Sequence, residues 1–352
     1  MTRKLCFRVG LTNDFYDDAG QLKYGDIGLD LLKSANGIDL SCFATHRPEI
    51  SPDQLAGLHS VIVLTPRVTA RSLSASNDLL AIGRFGVGYD TVDVGACTAA
   101  DVVLLITKGA VDYSVAEATV GWMLALTHHV RIKDQLVRTG NWNERNGFMG
   151  CELRKRTLGI IGFGGIGQSV VKLLSGFGMN TPLVFDPFVA GPVLADSGVQ
   201  AVSLDELLEK SDFASLHCPL NDQTRNLISS RELSLMKPTA YLLNTARGGI
   251  VNEDALFTAL TQRRIAGAAL DCFVGEPLTA PTRWADLDNV LLAPHSIAWT
   301  RELFLEIGHA AFQGILDVFQ GRRPRGVVNP EVFDRPTFQD KWKRIVQSTQ
   351  GS

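Results

Sequence analysis

Between residues 157 and 295 the sequence repeats one pattern six times: a short, unbroken apolar run that closes on a polar or charged residue. The runs are TLGIIG (157–162), PLVFD (182–186), FASLHCPL (213–220), YLLNTARGG (241–249), AGAALDCF (266–273) and VLLAPH (290–295). Helix-compatible segments such as QSVVKLLSGFG and LDELLEK separate them. Apolar runs without period-2 alternation read as strands covered on both faces, and such strands alternating with helices are βαβ units of a parallel sheet. Any one run also fits a buried helix segment; six in series do not. The pattern predicts an α/β fold whose parallel sheet carries helices on both faces.

Asp186, His217, Arg247, Asp271 and His295 all stand at the C-terminal ends of these runs. In an open α/β sheet that edge is where ligands bind. The N-terminal part repeats the pattern more loosely in KLCFRVGL, DLSCFA, SVIVLTP, LLAIGRFGVG and DVVLLIT, which predicts a second, smaller α/β unit. A chain of 352 residues also exceeds what a single core usually serves. The segment SVAEATVGWMLALTHHVRIKDQLVRTGNW (114–142) has helical periodicity and no proline. One long helix is expected there, joining the units and packing on a second subunit, with His128 and His129 structural residues inside it. TRELFLEIGHAAFQGILDVFQGRRP (300–324) is a second amphipathic helix, and the residues beyond Pro330 form a polar tail that the pattern does not place.

The net charge of −3 argues against a nucleic-acid or acidic-membrane partner, and GRRPRG (321–326) and KWKR (341–344) read as solvated faces. No apolar run approaches the length of a membrane span. The apolar stretch at the start is interrupted by Arg8, too early for a signal-peptide core. Six scattered cysteines without a CxxC pair fit reduced thiols in a cytoplasmic protein, with no zinc-ligand spacing.

GIIGFGGIGQ (159–168) holds Gly162-x-Gly164-x-x-Gly167 between an expected strand and an expected helix. A GxGxxG alone says little, but this is the context that a dinucleotide fingerprint requires. The first glycine makes the turn, the second lets backbone approach a pyrophosphate, and the third lets helix and sheet pack closely. The helix N-terminus, through Gly165 and Ile166, offers free N–H groups to the phosphates. Asp186 closes the next run 24 residues after Gly162 (186 − 162), where a carboxylate accepts hydrogen bonds from the adenine ribose and repels a 2′-phosphate. NAD is therefore favoured over NADP. The plainer alternative is that Asp186 only starts the Asp-Pro turn.

Several motifs together resemble those of the D-isomer-specific 2-hydroxyacid dehydrogenases: NTARGG with Arg247, LDCFVGEP with Asp271 and Glu276, and APH with His295. LHCPLNDQTRNLI (216–228), GVGYDTVD (86–93) and VAEATVG (115–121) are similar to further family segments. The spacings 271 − 247 = 24, 276 − 271 = 5 and 295 − 276 = 19 also look like the family's. The resemblance runs over roughly residues 55–330. It implies a Rossmann-type doubly wound domain at 108–302 that binds NAD. A smaller flavodoxin-like α/β substrate domain would be built from 1–107 and 303–332, and 333–352 would be a tail.

The resemblance further implies roles. His295 would give a proton to the carbonyl of a 2-oxo acid and take it back from a 2-hydroxy acid, which an imidazole can do near neutral pH. Glu276 would bind the other ring nitrogen, fix the tautomer and favour the imidazolium. Arg247 would grip the substrate carboxylate and polarise the carbonyl. Val87 and Gly88 would offer backbone N–H groups to that carboxylate. Asp271 would orient the nicotinamide carboxamide, with Thr245, Ala246 and Thr119 beside the nicotinamide end and Cys218 against the adenine. A homodimer through 114–142 is expected by the same resemblance.

Bland readings compete with some of these. His217 is more simply a satisfied histidine under the sheet, and Cys272 has no base beside it in sequence, which argues against a nucleophile. Three departures bear on the pocket. Gly165 stands where many relatives carry a larger, often basic residue. Ser296-Ile297 replaces the more common small pair after the histidine, and Trp299 is bulky. Glu276 argues against formate dehydrogenases, and the lack of lysine near Val87 argues against phosphite oxidation. The expected activity is reduction of a small 2-oxo acid such as hydroxypyruvate, glyoxylate or a phosphorylated relative. The alternative is an NAD-binding protein resembling the C-terminal-binding corepressors, which keep the same Arg, Glu and His.

Overall fold

The strands of the computed structural model, which describes residues 6–350, form two separate sheets in which every strand pair is parallel. Lys4 and Leu5 of the first expected strand, and the last two residues of the expected tail, lie outside the described residues. The first sheet contains β1 (Phe7–Leu11), β2 (Ile38–Cys42), β3 (Ser60–Val63), β4 (Ala81–Arg84) and β5 (Val103–Ile106) in the order β2-β1-β3-β4-β5. The second contains β6 (Leu158–Ile161), β7 (Leu183–Phe185), β8 (Gln200–Ala201), β9 (Phe213–Leu216), β10 (Tyr241–Asn244), β11 (Gly267–Leu270) and β12 (Val290–Leu292), in the order β12-β11-β10-β9-β6-β7-β8.

Two units divide the chain: the described residues up to Val111 together with those from Trp299 onward, and Asp112–Ala298. In the second unit, successive strand residues enter opposite apolar layers. Ile161, Leu242 and Ala268 pack with Leu207, Leu256 and Trp284 on one face. Ile160, Leu243 and Ala269 pack with Trp122, Met123 and Val170 on the other. A strand with both faces covered needs an apolar residue at every position, which is why these runs were legible. β8 was not, because its two residues are exposed at the sheet edge and carry no apolar signal.

Register then lines up the strand ends. Ile161 pairs with Phe185 on one side and Leu216 on the other; Leu216 with Asn244, Asn244 with Leu270, and Leu270 with Leu292. The residues that follow them, Gly162, Asp186, His217, Thr245 and Asp271, therefore leave the sheet along one edge. The chain runs from β6 outward through β7 and β8, then crosses to β9 on the other flank of β6. That reversal beside β6 is a switch point, where open α/β sheets form a crevice.

The expected single helix over 114–142 is two, Asp112–Thr127 and Val130–Arg138. His129 sits between them in the left-handed region at φ 53°. No proline or glycine marks the break. The carbonyl of Thr127 instead accepts the N–H of Cys151 at 3.0 Å, and a Cβ on Gly150 would lie 2.4 Å from that same oxygen. The first helix is thus closed by a distant segment, and His128 and His129 lie at a helix junction, not within a helix.

In the first unit the helix Arg301–Phe319 buries Phe312 and Ile315 completely. The residues that composition left as a polar tail form a helix, Pro336–Gln350, with Phe338 and Ile345 buried. Trp342 Nε1 donates to the Val318 carbonyl at 2.7 Å, and Lys341 Nζ to the carbonyls of Leu79 and Ala100 at 2.8 and 3.2 Å. Burial lowers the Lys341 ammonium to about 8. Its long apolar stem packs while its charged end closes two loops, a use of lysine that hydropathy cannot show.

Candidate active site

The fingerprint loop leaves β6 through Gly162, held at φ 94°. A Cβ there would lie 2.8 Å from the backbone of His217 and Cys218, so β6 and β9 approach too closely for any side chain. A Cβ on Gly167 would lie 2.7 Å from the Gly162 carbonyl, which keeps the helix Gly165–Leu174 tight against the turn. At Gly164 a Cβ would meet nothing within 4 Å, and no side chain caps the helix that begins after it. Its first N–H groups are thus available to an outside acceptor. Ile166 lies half-buried in that first turn. Gly165 has a different constraint: a Cβ would lie 1.8 Å from Oδ2 of Asp112. Sequence reading missed Asp112, which is remote from the motif and belongs to another helix.

Asp186 follows β7 with both carboxylate oxygens facing backbone. Oδ2 accepts from Phe163 N at 2.7 Å and Oδ1 from Phe188 N at 2.9 Å. It starts the Asp-Pro turn, the plainer of the two readings, and also braces the fingerprint loop. Burial pushes the Cys218 thiol up to about 11, with the Asp186 charge adding to it. Thr245 Oγ1 is buried without a hydrogen-bond partner among the described residues. Thr119 is fully buried, and its hydroxyl donates to the Val115 carbonyl at 2.8 Å. Open space over Gly164, an uncapped helix start and an orphaned threonine hydroxyl on the same strand edge fit a dinucleotide. Gly162, Gly164, Gly165, Ile166, Gly167, Asp186 and Thr245 are the residues that could hold it.

The polar cluster lies at the ends of β10, β11 and β12. His295 Nδ1 meets Glu276 Oε2 at 2.7 Å, leaving Nε2 without a partner among the described residues. The other oxygen, Oε1, accepts from Phe273 N at 2.6 Å. Burial would raise the Glu276 carboxyl, but the bonds from His295 and Phe273 outweigh it, with the His295 and Arg247 charges, and hold it below the usual range. Glu276 therefore stays ionised beside the ring. His295 has φ 54°, and its backbone N–H donates to the Asp271 carbonyl at 2.8 Å. Asp271 Oδ1 accepts from Ser296 N at 2.8 Å and Ile297 N at 3.2 Å. Burial nevertheless raises the Asp271 carboxyl.

Arg247 is half-buried in the loop after β10, and its Nη1 donates to the Ala246 carbonyl at 2.7 Å. Asn244 shapes that loop: its Nδ2 donates to the Arg247 carbonyl at 2.9 Å and its Oδ1 accepts from Ala246 N at 3.1 Å. Asn244 lies inside NTARGG near the arginine, and no local pattern in the sequence marks its loop-shaping role. Cys272 is buried, its Sγ donating to the Ala246 carbonyl at 3.4 Å. His217 pairs with Ser215 Oγ at 2.9 Å, and burial lowers it to about 4. A ring neutral at physiological pH and tied to Ser215 through Nε2 fits a structural role, but Nδ1 is buried without a hydrogen-bond partner among the described residues, so the histidine is not fully satisfied. Val87 and Gly88 belong to the first unit, half-buried in the loop after β4, and their N–H groups meet no acceptor among the described residues.

Residues 120–296, nearly all of the second unit, match the D-isomer specific 2-hydroxyacid dehydrogenase, NAD binding domain. The chain belongs to this family. As a D-isomer specific 2-hydroxyacid dehydrogenase family member it carries the NAD-binding domain that contains the fingerprint loop and the Arg247, Glu276 and His295 cluster. It is 38% identical to a glyoxylate reductase of Thermofilum pendens over 275 residues, 77% of this chain and 81% of that protein. It is 35% identical to a D-3-phosphoglycerate dehydrogenase of Synechocystis sp. over 316 residues, 88% of this chain but 56% of that one. The chain thus spans little more than half the length of that phosphoglycerate dehydrogenase. The crystal structure of a glyoxylate reductase from Paecilomyes thermophila aligns with a TM-score of 0.79 at 27% identity, covering 92% of this chain and 98% of that one.

Proposed function

We propose that the protein is an NAD-dependent oxidoreductase that interconverts a small 2-oxo acid and its D-2-hydroxy acid. The observation that carries this reading is the His295–Glu276 pair, with one ring nitrogen bound to an ionised carboxylate and the other open. Bound NADH supplies the hydride. His295 then donates its Nε2 proton to the carbonyl oxygen, and Glu276 holds the imidazolium in place before donation. Arg247, always charged, takes the substrate carboxylate and withdraws electrons from the neighbouring carbonyl. Val87 and Gly88 add backbone N–H groups to that carboxylate. Asp271 and Ala246 line the nicotinamide end and Cys218 the adenine end. Asp186 favours NAD over NADP.

Among substrates, glyoxylate and hydroxypyruvate are favoured, because a glyoxylate reductase is matched over most of its length and a phosphoglycerate dehydrogenase over little more than half. A homodimer built through 114–142 is supported by exposed Val137, Trp142 and Met149 on and just after that segment. Six unbridged cysteines support a cytoplasmic setting. Among the described residues no helix is long and apolar enough to cross a membrane.

The test is NADH oxidation against a panel of 2-oxo acids. Turnover is expected on at least one, and His295→Ala should slow it by about 10²–10⁴-fold while NADH still binds. NADH binding without turnover on any acid would favour the corepressor-like reading, and an undiminished rate in His295→Ala would remove this histidine from the chemistry.

A further inference from the structure

We propose that Cys272, Glu276 and His295 form a binding site for a zinc-class divalent cation, and that occupation of this site reversibly inhibits the enzyme. One ligand atom from each of the three side chains lies within 4.8 Å of the other two. They are a sulfur, a carboxylate oxygen and a ring nitrogen, a set that suits zinc rather than magnesium or calcium. Ligand atoms around a tetrahedral zinc stand about 3.5 Å apart. Closing the cluster onto an ion therefore requires side-chain movements of roughly 1 Å. His295 and Glu276 are partly exposed, at 45% and 31% of their side chains, so an ion can arrive from solvent on their side. Cys272, 3% exposed, closes the site from below.

Charge and proton accounts both close. Without the ion, a neutral thiol, the Glu276 carboxylate and the Arg247 guanidinium sum to zero. With it, a thiolate, the carboxylate, the guanidinium and the dication sum to +1, so loss of the thiol proton offsets half of the charge that the ion brings. Binding releases one proton, that of the Cys272 thiol, while the neutral His295 ring keeps its single proton on the nitrogen that does not bind the ion. Affinity should therefore rise with pH. The fourth position of the ion remains for water. An occupied site ties His295 and Glu276 to the metal and withdraws them from proton transfer. The inhibition rests on the proton-donor reading of His295; the binding does not.

The test uses the full chain titrated with Co²⁺, a spectroscopic stand-in for Zn²⁺. A thiolate-to-cobalt charge-transfer band should appear at one ion per chain and vanish when Zn²⁺ is added. Losing even an outer hydrogen-bond partner of a metal ligand costs about 10–100-fold in affinity. Cys272→Val, which removes a ligand itself, should abolish the band and weaken Zn²⁺ binding by at least about 100-fold. Cys272→Ser serves as a second variant should the valine impair folding. Zn²⁺ should inhibit the wild type, and each variant should lose that inhibition relative to its own metal-free rate. No band in the wild type, or a band that persists in both variants, overturns the site and leaves the catalytic reading standing. A cysteine-dependent band without inhibition overturns the proton-donor role of His295 instead.

Discussion

Replacing Gly165 by alanine should destabilise the protein when Asp112 is present and not when it is absent. Gly165 opens the helix Gly165–Leu174, and its backbone is not left-handed, so its own conformation tolerates a side chain. The obstacle is Asp112, whose Oδ2 and Cγ would stand 1.8 and 2.5 Å from the new Cβ. Reaching even 3.0 Å requires the carboxylate to withdraw by 1.2 Å (3.0 − 1.8). Overpacking a core costs about 1–3 kcal/mol, and because Gly165 is exposed and Asp112 only half-buried the cost here lies in the lower half of that range. Against it, alanine is favoured over glycine in a helix by up to ~1 kcal/mol. The wild-type background should therefore lose about 1 kcal/mol, or about 2–4 °C in Tm for a unit of this size. In an Asp112→Ala background only the helix preference remains, and Gly165→Ala should be neutral or raise Tm. Calorimetric Tm values of the four proteins complete the cycle, with a coupling of about 1–2 kcal/mol expected. Equal shifts in both backgrounds would refute the contact as the reason for glycine here. A larger residue at position 165 would then be excluded for some other reason.

Asp186→Ala should erode the preference for NAD over NADP by about 10–100-fold in kcat/KM, the worth of one charge-assisted hydrogen bond of about 1.5–3 kcal/mol plus relief of repulsion. A ratio that does not move would place the ribose contact on another residue. Acid should weaken both units. His59 in the first unit and His217 in the second are each lowered by burial to about 4, from 6.5 in the unfolded chain. Both fold neutral, so between these values the unfolded chain binds more protons and stability is lost as pH falls from 6.5 toward 4. Each histidine should account for about 2 kcal/mol between pH 7 and pH 5. Urea denaturation at the two pH values measures this, and His217→Gln should remove its share. A midpoint in the wild type that does not change from pH 7 to pH 5 would contradict it.

What the sequence made legible follows from where burial is two-sided. Strands such as Leu158–Ile161 and Gly267–Leu270 are fully buried, and only an apolar residue fits at each position. Features set by contact with a remote segment left no local trace. The break at His129 is imposed by Gly150 and Cys151, the C-terminal helix by the reach of Lys341 and Trp342, and the glycine at 165 by Asp112. The polar cluster shows the same division. Glu276, Asp271 and His295 stood out because each ends or follows an apolar run in a recognisable motif. Cys272 stood in one of those motifs too, yet its nearness to His295, 23 positions on (295 − 272), exists only once β11 and β12 are paired.

That pairing also explains how a histidine in a left-handed conformation can be held at the edge of a sheet. A non-glycine residue at positive φ costs about 1–3 kcal/mol and persists only where its surroundings dictate it. Here one residue of the adjacent strand end supplies the dictation. The Asp271 carbonyl takes the N–H of His295, and its carboxylate takes those of Ser296 and Ile297. Three consecutive N–H groups are thus fixed by a single buried aspartate, while Glu276 fixes the ring. Burial works against the Asp271 charge, and the bonds from Ser296 and Ile297 work for it. Asp271 and the turn it holds therefore stabilise each other: the turn gives the carboxylate its hydrogen bonds, and the carboxylate gives the turn its shape. Asp271 positions His295 from below and Glu276 from the side. The aim of the imidazole is decided before any substrate arrives.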